Sequence, residues 1–370
     1  MERFAFIIHA IDVRADAAKK FPIARFFPEP IVAAAMRRVP PMVVAHLQGI
    51  RSRTGAEAEG WFIGCPLAPK YLLGLPPEEV YENLRKCCVL AEGLGARIVG
   101  LGALTSVAGD GGITLAQRTP LAVTTGNSYT VATAVEGAVE GGRLMGVPIE
   151  EAHVAVVGAA GSIGHTCAAL LGPRARAITL VGRHRERLEP VAADVRERGA
   201  GVVSIADDVV SGLADADIVV TVTSAADAII LPSHLKRGAV VCDVARPRDV
   251  SVRVAKERPD VLVIEGGLVQ VPGNMTVTQT DSRGKDRPDR GDFTFGFPPG
   301  TAYACMSETM MLALDGRYES FTLGKTVSVE QAMETSRLAE KHGFRLGGFR
   351  SFEQAVTDET VAAVRRAAGR

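Results

Sequence analysis

"AHVAVVGAAGSIGHTCAALLGPRARAITLVGRHRERL", residues 152–188, is the stretch that decides the fold. His153 to Val157 are mostly branched and apolar, the composition of a buried strand. Gly158, Gly161 and Gly164 then fall at three-residue intervals and open a helix expected to run to about Leu171. Glycines so placed permit a tight turn, close approach of backbone to a pyrophosphate, and intimate packing of helix on strand. The first amides of the helix meet the phosphate charge. Gly158, Gly161, Ser162, Ile163 and Gly164 are the expected cofactor-binding turn.

Further strands are expected at Ala177–Gly182, Ala216–Ser224, Ala239–Ala245 and Val261–Gly267, with helical or polar segments between them. This alternation predicts a Rossmann-like, doubly wound parallel sheet. At the end of the second strand an NAD site usually carries an acid for the ribose hydroxyls. Here the chain reads Gly182, Arg183, His184, Arg185. Arginine grips a ribose phosphate that a carboxylate would repel, so NADPH is the expected cofactor and Arg183 its phosphate ligand. Thr223 and Ser224 end the next strand and have two readings: cofactor lining, or a polar loop with a helix cap.

Around this centre the 370 residues suffice for two cores. Forty-two basic and 42 acidic side chains cancel, so no overall field recruits nucleic acid or an anionic surface. Six scattered cysteines show neither a zinc motif nor a disulfide framework, which fits a reducing, cytoplasmic setting. No stretch reaches a charge-free transmembrane length. The expected division is a separate N-terminal α/β domain over 1–145, a nucleotide domain over 146–297, and C-terminal helices packing back over 298–370. The polar run "DSRGKDRPDRGDF" (281–293) is long for a plain connection and predicts a lid or binding loop.

"GTAYACMSETMMLAL" (300–314) predicts a helix from Thr301, with Thr301 as its cap. Cys305 then sits near the helix start, where the dipole favours a thiolate, and Glu308 falls on nearly the same face. The carboxylate opposes the dipole by raising the thiol pKa. A protein thiol can take an acyl group as a thioester that hydride then reduces to an aldehyde. The bland reading of Cys305 is a small buried hydrophobe. Cys65 is the rival thiol, whereas Cys167 and Cys242 read as packing.

Three pieces together resemble the long-chain acyl-[acyl-carrier-protein] reductases, known from cyanobacteria: "TTGNSYTVA" (124–132), "VAVVGAAGSIG" (154–164) with "LVGRHRERL" (180–188), and "YACMSETMMLAL" (303–314). The likeness covers most of the chain. It implies NADPH, an acyl thioester carried by acyl-carrier protein or coenzyme A, acylated Cys305 with Glu308 beside it, and a fatty-aldehyde product. An aldehyde-consuming enzyme is the further partner that a poorly soluble product suggests. Lys70 stands where the cyanobacterial pattern has an acid. The alternatives are a shikimate-dehydrogenase-like enzyme acting on a small polar substrate, and a nucleotide-binding sensor without turnover.

Overall fold

The computed structural model describes residues 1–10, 13–225, 227–245, 248–281, 284–324, 326–352 and 354–370. The chain opens with β1 (Glu2–His9), α1 (Val13–Lys20), α2 (Glu29–Met36), β2 (Met42–Arg51), β3 (Glu57–Cys65), α3 (Pro69–Gly74), α4 (Pro77–Gly93), β4 (Ile98–Leu101), α5 (Ile113–Gln117) and β5 (Ala122–Thr124). It continues through α6 (Asn127–Leu144), β6 (His153–Val157), α7 (Ser162–Leu171), β7 (Ala177–Val181), α8 (Arg185–Glu197), β8 (Val203–Ala206), α9 (Val209–Leu213), β9 (Ile218–Thr221), β10 (Val240–Asp243), α10 (Val252–Glu257), β11 (Leu262–Glu265) and β12 (Leu268–Gln270). The last elements are β13 (Gly273–Gln279), β14 (Thr301–Tyr303), α11 (Ala304–Leu314), α12 (Val329–His342) and α13 (Asp358–Ala368).

Two compact units result: Met1–Gly126 with Val271–Lys325 and Arg337–Arg345, and Asn127–Gln270 with Thr326–Ser336 and Leu346–Arg370. These do not follow the expected boundaries at 145 and 297. The break comes at Gly126 because α6, rich in small residues, packs on the second unit's sheet. A β-carbon on Gly141 would fall 2.9 Å from Val240, and one on Gly142 2.6 Å from Ile218. The stretch after 297 is shared between the units rather than forming a segment of its own.

The second unit is built on a six-stranded sheet ordered β11-β10-β9-β6-β7-β8, every neighbouring pair parallel. In chain order this is the 3-2-1-4-5-6 arrangement of dinucleotide-binding folds. Val154 and Val156 point into a core shared with α6, α7 and α8, while Ala155 and Val157 join Leu213 and Val254 on the opposite side. Helices therefore cover both faces, as a doubly wound sheet requires. The sequence reading missed β8, an edge strand that is only half buried and so lacks a continuous apolar run.

The first unit holds a sheet ordered β13-β2-β3-β1-β4-β5, in which β1, β3, β4 and β5 run parallel and β2 runs against its two neighbours. Alternation splits β1: Ala5 and Ile7 join Val80, Leu84 and Cys87 of α4 in one core. Phe6 lies with the other face, against Gly100. A β-carbon on Gly100 would meet Thr309 Oγ1 at 2.1 Å and the Phe6 ring at 2.4 Å, so α11 closes directly on this face.

Two C-terminal expectations need correction. Thr301–Tyr303 is a strand, and α11 begins only at Ala304. Thr301 is no cap: its hydroxyl donates to the Pro298 carbonyl at 2.6 Å. A short strand at Gln354–Val356 precedes α13, whose start is capped by Thr357. Among the described residues no helix is long and apolar enough to cross a membrane.

Candidate active site

The glycine turn has the shape its spacing predicts. Gly158 adopts φ +82°, in the left-handed region. A β-carbon on Gly164 would lie 2.3 Å from the Gly158 carbonyl oxygen, so no larger residue fits between α7 and the turn. Gly161 immediately precedes α7 and offers no side-chain cap to the helix amides. This bare cradle at a helix start, at the carboxyl end of β6, fits a pyrophosphate.

The residues around it divide by what already occupies them. Ser162 Oγ accepts the Val327 amide at 2.8 Å, so that hydroxyl fixes a neighbouring segment. Ile163 is half buried and packs against the core. Thr223 is committed to Asp249, a fully buried carboxylate absent from the sequence reading. Asp249 accepts the hydroxyls of Thr221 and Thr223, each at 2.5 Å, and the Thr223 amide at 2.9 Å. Ser224 is exposed. Beyond β7, Arg185 lies within ion-pair distance of Glu189 and Asp207, at 3.7 and 3.5 Å. Arg183 is exposed and makes no ion pair among the described residues. His165 is held by Asp194 at 2.8 Å, a pairing between two helices.

In the first unit, Cys305 is the second residue of α11 and is only partly exposed. Beneath it lies the turn after β5. Gly126 has φ +74°, and a β-carbon there would fall 2.2 Å from Cys305 Cα. Glu308, fully buried, holds this contact in register. It accepts the Thr124 hydroxyl at 2.5 Å and the Thr322 hydroxyl at 2.9 Å. The Thr322 carbonyl takes the Thr125 amide at 2.9 Å. Burial pushes the Cys305 thiol up to about 12, Glu308 adding to it, and hydrogen bonds from the Met306 and Cys305 amides offset only part. The expected thiolate at a helix start is thus corrected: desolvation outweighs the dipole.

The same unit contains an apolar cavity of about 470 Å³. It opens at the carboxyl ends of β1 and β3, with Ile8, Met42, Val44, Gly64, Phe293 and Phe295 among its walls. Phe293 and Phe295 come from the loop after β13, which is pinned by bridges of Thr278 to Asp292 and Thr280 to Asp286. That loop therefore serves as a wall; Ser282 and Arg283 within it lie outside the described residues. Aromatic contacts run on from Phe295 to Tyr303 at 6.2 Å, and from Phe297 to Tyr303 at 4.5 Å, two residues before Cys305. Cys65 also lines the cavity. A hydrogen bond from Cys87 holds the Cys65 thiol below its ordinary value despite burial, while the same bond and burial push Cys87 up. Cys167 and Cys242 are buried in the second unit's core.

Residues 143–265, less than half of the chain, match the family described as shikimate/quinate 5-dehydrogenase. Aminotransferase PigE of Serratia sp. is 30% identical over 86% of this chain. The chain spans only 36% of PigE's own length. Long-chain acyl-[acyl-carrier-protein] reductase of Synechococcus elongatus is 25% identical over 83% of this chain and 87% of its own. Quinate dehydrogenase of Corynebacterium glutamicum, solved with NAD, superposes with a TM-score of 0.34 at 14% identity, covering 66% of this chain and 80% of that one. The second unit thus has an oxidoreductase-like, NAD(P)-binding fold.

Proposed function

We propose that this chain reduces a fatty acyl thioester to the fatty aldehyde with NADPH, through an acyl group carried on Cys305. The observation carrying the reading is the seat of Cys305, a half-buried residue at the start of α11 set against Gly126, with the Glu308–Thr124–Thr322 clamp beside it. The likeness to the Synechococcus reductase, over most of both chains, supports it. So does an apolar cavity of about 470 Å³ in the same unit, suited to an aliphatic chain.

The cradle from Gly158 to Gly164 would hold the pyrophosphate, and Arg183 the ribose phosphate that distinguishes NADPH. When bound, the nicotinamide supplies hydride. Cys305 Sγ attacks the acyl carbon, the bond to the carrier sulfur breaks, and the departing sulfur takes the thiol proton. Because burial keeps the thiol protonated, that transfer accompanies attack rather than preceding it. On reduction of the acyl group, Cys305 Sγ would be the leaving group of the aldehyde and would recover its proton from water. Glu308 acts as a positioning residue, since its carboxylate is anchored by two hydroxyls. The carrier is acyl-carrier protein or coenzyme A.

A second assignment has its own support: Cys65 faces the cavity with its thiol lowered by Cys87. The shikimate-type alternative is supported by the family match over residues 143–265 but has no matching geometry on its substrate side among the described residues. Asp110 accepts the amide and hydroxyl of Thr114, and Lys70 lies over the Tyr71 ring at 5.1 Å.

Intact-mass and peptide mapping after incubation with palmitoyl-coenzyme A, without cofactor, tests the reading. An adduct on Cys305 that NADPH discharges as aldehyde is expected. An adduct on Cys65 alone moves the nucleophile there, and reduction without any protein adduct removes the covalent step.

A further inference from the structure

The segment from Phe21 to Met36 buries Val32 but leaves Phe21, Ile23, Phe26, Phe27 and Ile31 exposed. Its buried members include the small Ala24 and Ala33, whereas Ile23 is 65% exposed, Phe26 73% and Ile31 54%. Folding alone drives large apolar side chains inward, so several of them projecting from one short stretch mark a contact surface. The turn that carries them, Pro22–Phe26, is a 3-10 helix led by proline, which fixes the display.

Charge accompanies the apolar tips. Residues 12–38 contain six lysines and arginines against three acids, in a chain whose overall charge is zero. The Arg25 guanidinium lies 4.7 Å from the centre of the Phe26 ring, so a cation travels with the most exposed aromatic. Arg38 is exposed and bonds only a backbone carbonyl among its recorded contacts, whereas Arg37 is neutralised by Glu79. Among the described residues of this stretch, Glu29 at the start of α2 is the exposed acid.

From this arrangement we infer that the 21–31 segment docks on an anionic lipid surface. Projecting aromatic and aliphatic tips flanked by basic groups are what a headgroup–acyl boundary takes up. An acidic protein partner would be met by paired cations, but here the outermost side chains are apolar and one of the arginines is already paired. The placement has a consequence for the cavity. Phe21 both lines it and is 45% exposed, so the cavity opens beside the docking segment. An apolar ligand could then pass between cavity and bilayer without crossing bulk water. Lipid docking itself stands on exposure and charge, independently of the reaction assigned above.

Co-sedimentation of the full chain with phosphatidylcholine vesicles, with and without phosphatidylglycerol, is the test. The wild type should pellet with the anionic vesicles and be released by raised salt. The Ile23→Ser/Phe26→Ser double variant should lose binding by about tenfold or more, and Arg25→Glu by several-fold. Because these side chains are exposed, both variants should unfold at the wild-type temperature. As a second readout, Phe26→Trp should give a blue-shifted emission on addition of anionic vesicles. Wild type remaining in the supernatant, equal pelleting of the double variant, or unshifted Trp emission overturns the inference. So does retention of the wild type, but not the variant, by an acidic carrier protein without lipid, or a change of oligomeric state confined to the variant.

Discussion

Gly126 and Cys305 touch backbone to backbone: a β-carbon on Gly126 would lie 2.2 Å from Cys305 Cα and 2.7 Å from its carbonyl oxygen. The clash is with main chain, which cannot rotate away, and the φ of +74° is costly for any other residue. Gly126→Ala should therefore destabilise the protein by about 2–4 kcal/mol in urea unfolding. The alkylation rate of Cys305 should change with it, as α11 is lifted off the turn. An unchanged midpoint would show that the two segments are not pressed together.

The thiol at this contact should be slow to react in the free protein. With its pKa pushed to about 12 by burial, only about one part in ten thousand is thiolate near pH 8. Iodoacetamide labelling of Cys305, followed by peptide mass spectrometry, should keep accelerating with pH beyond 9 and show no plateau below the range where the protein unfolds. A plateau near 8 would mean that the helix dipole outweighs burial after all.

Glu308 separates structure from chemistry in two variants. Glu308→Ala leaves the buried hydroxyls of Thr124 and Thr322 without their acceptor, and should cost about 3 kcal/mol. Glu308→Gln keeps an oxygen for both donors and should cost about 1 kcal/mol. A positioning role predicts that acyl transfer to Cys305 is largely retained in the Gln variant. If the Gln variant folds fully yet forms no adduct, the carboxylate charge takes part directly.

Arg183→Ala should raise the Kd for NADPH about tenfold and leave NADH within about twofold, measured by fluorescence titration. Arg185→Ala should have less effect, since Glu189 and Asp207 lie within ion-pair distance of that side chain. Equal weakening of both cofactors by the Arg183 change would assign it to the fold rather than to the phosphate.

Much of the second unit was legible because its strands are buried on both faces and so read as apolar runs. Gly158 and Gly164 announce their turn directly, since no residue with a side chain satisfies both φ and spacing there. The edge strand β8 was hidden by partial exposure. Asp249 was hidden for a different reason: it holds Thr221 and Thr223 across a gap of more than twenty residues, and no local pattern reports such a partner. Thr322 escaped likewise, although "TTGNS" (124–128) did carry a signal in its glycine.

By itself, the sequence determined the parallel nucleotide-binding sheet, its glycine cradle and the presence of a thiol followed by a carboxylate at one helix. These depend on neighbours in the chain, where periodicity and φ preferences act. Only the tertiary structure decided that α6 belongs with the second unit, that Glu308 is clamped by two threonines, and that burial pushes the Cys305 thiol up. Desolvation and long-range hydrogen bonds come from segments distant in sequence, and their balance is fixed only when those segments meet.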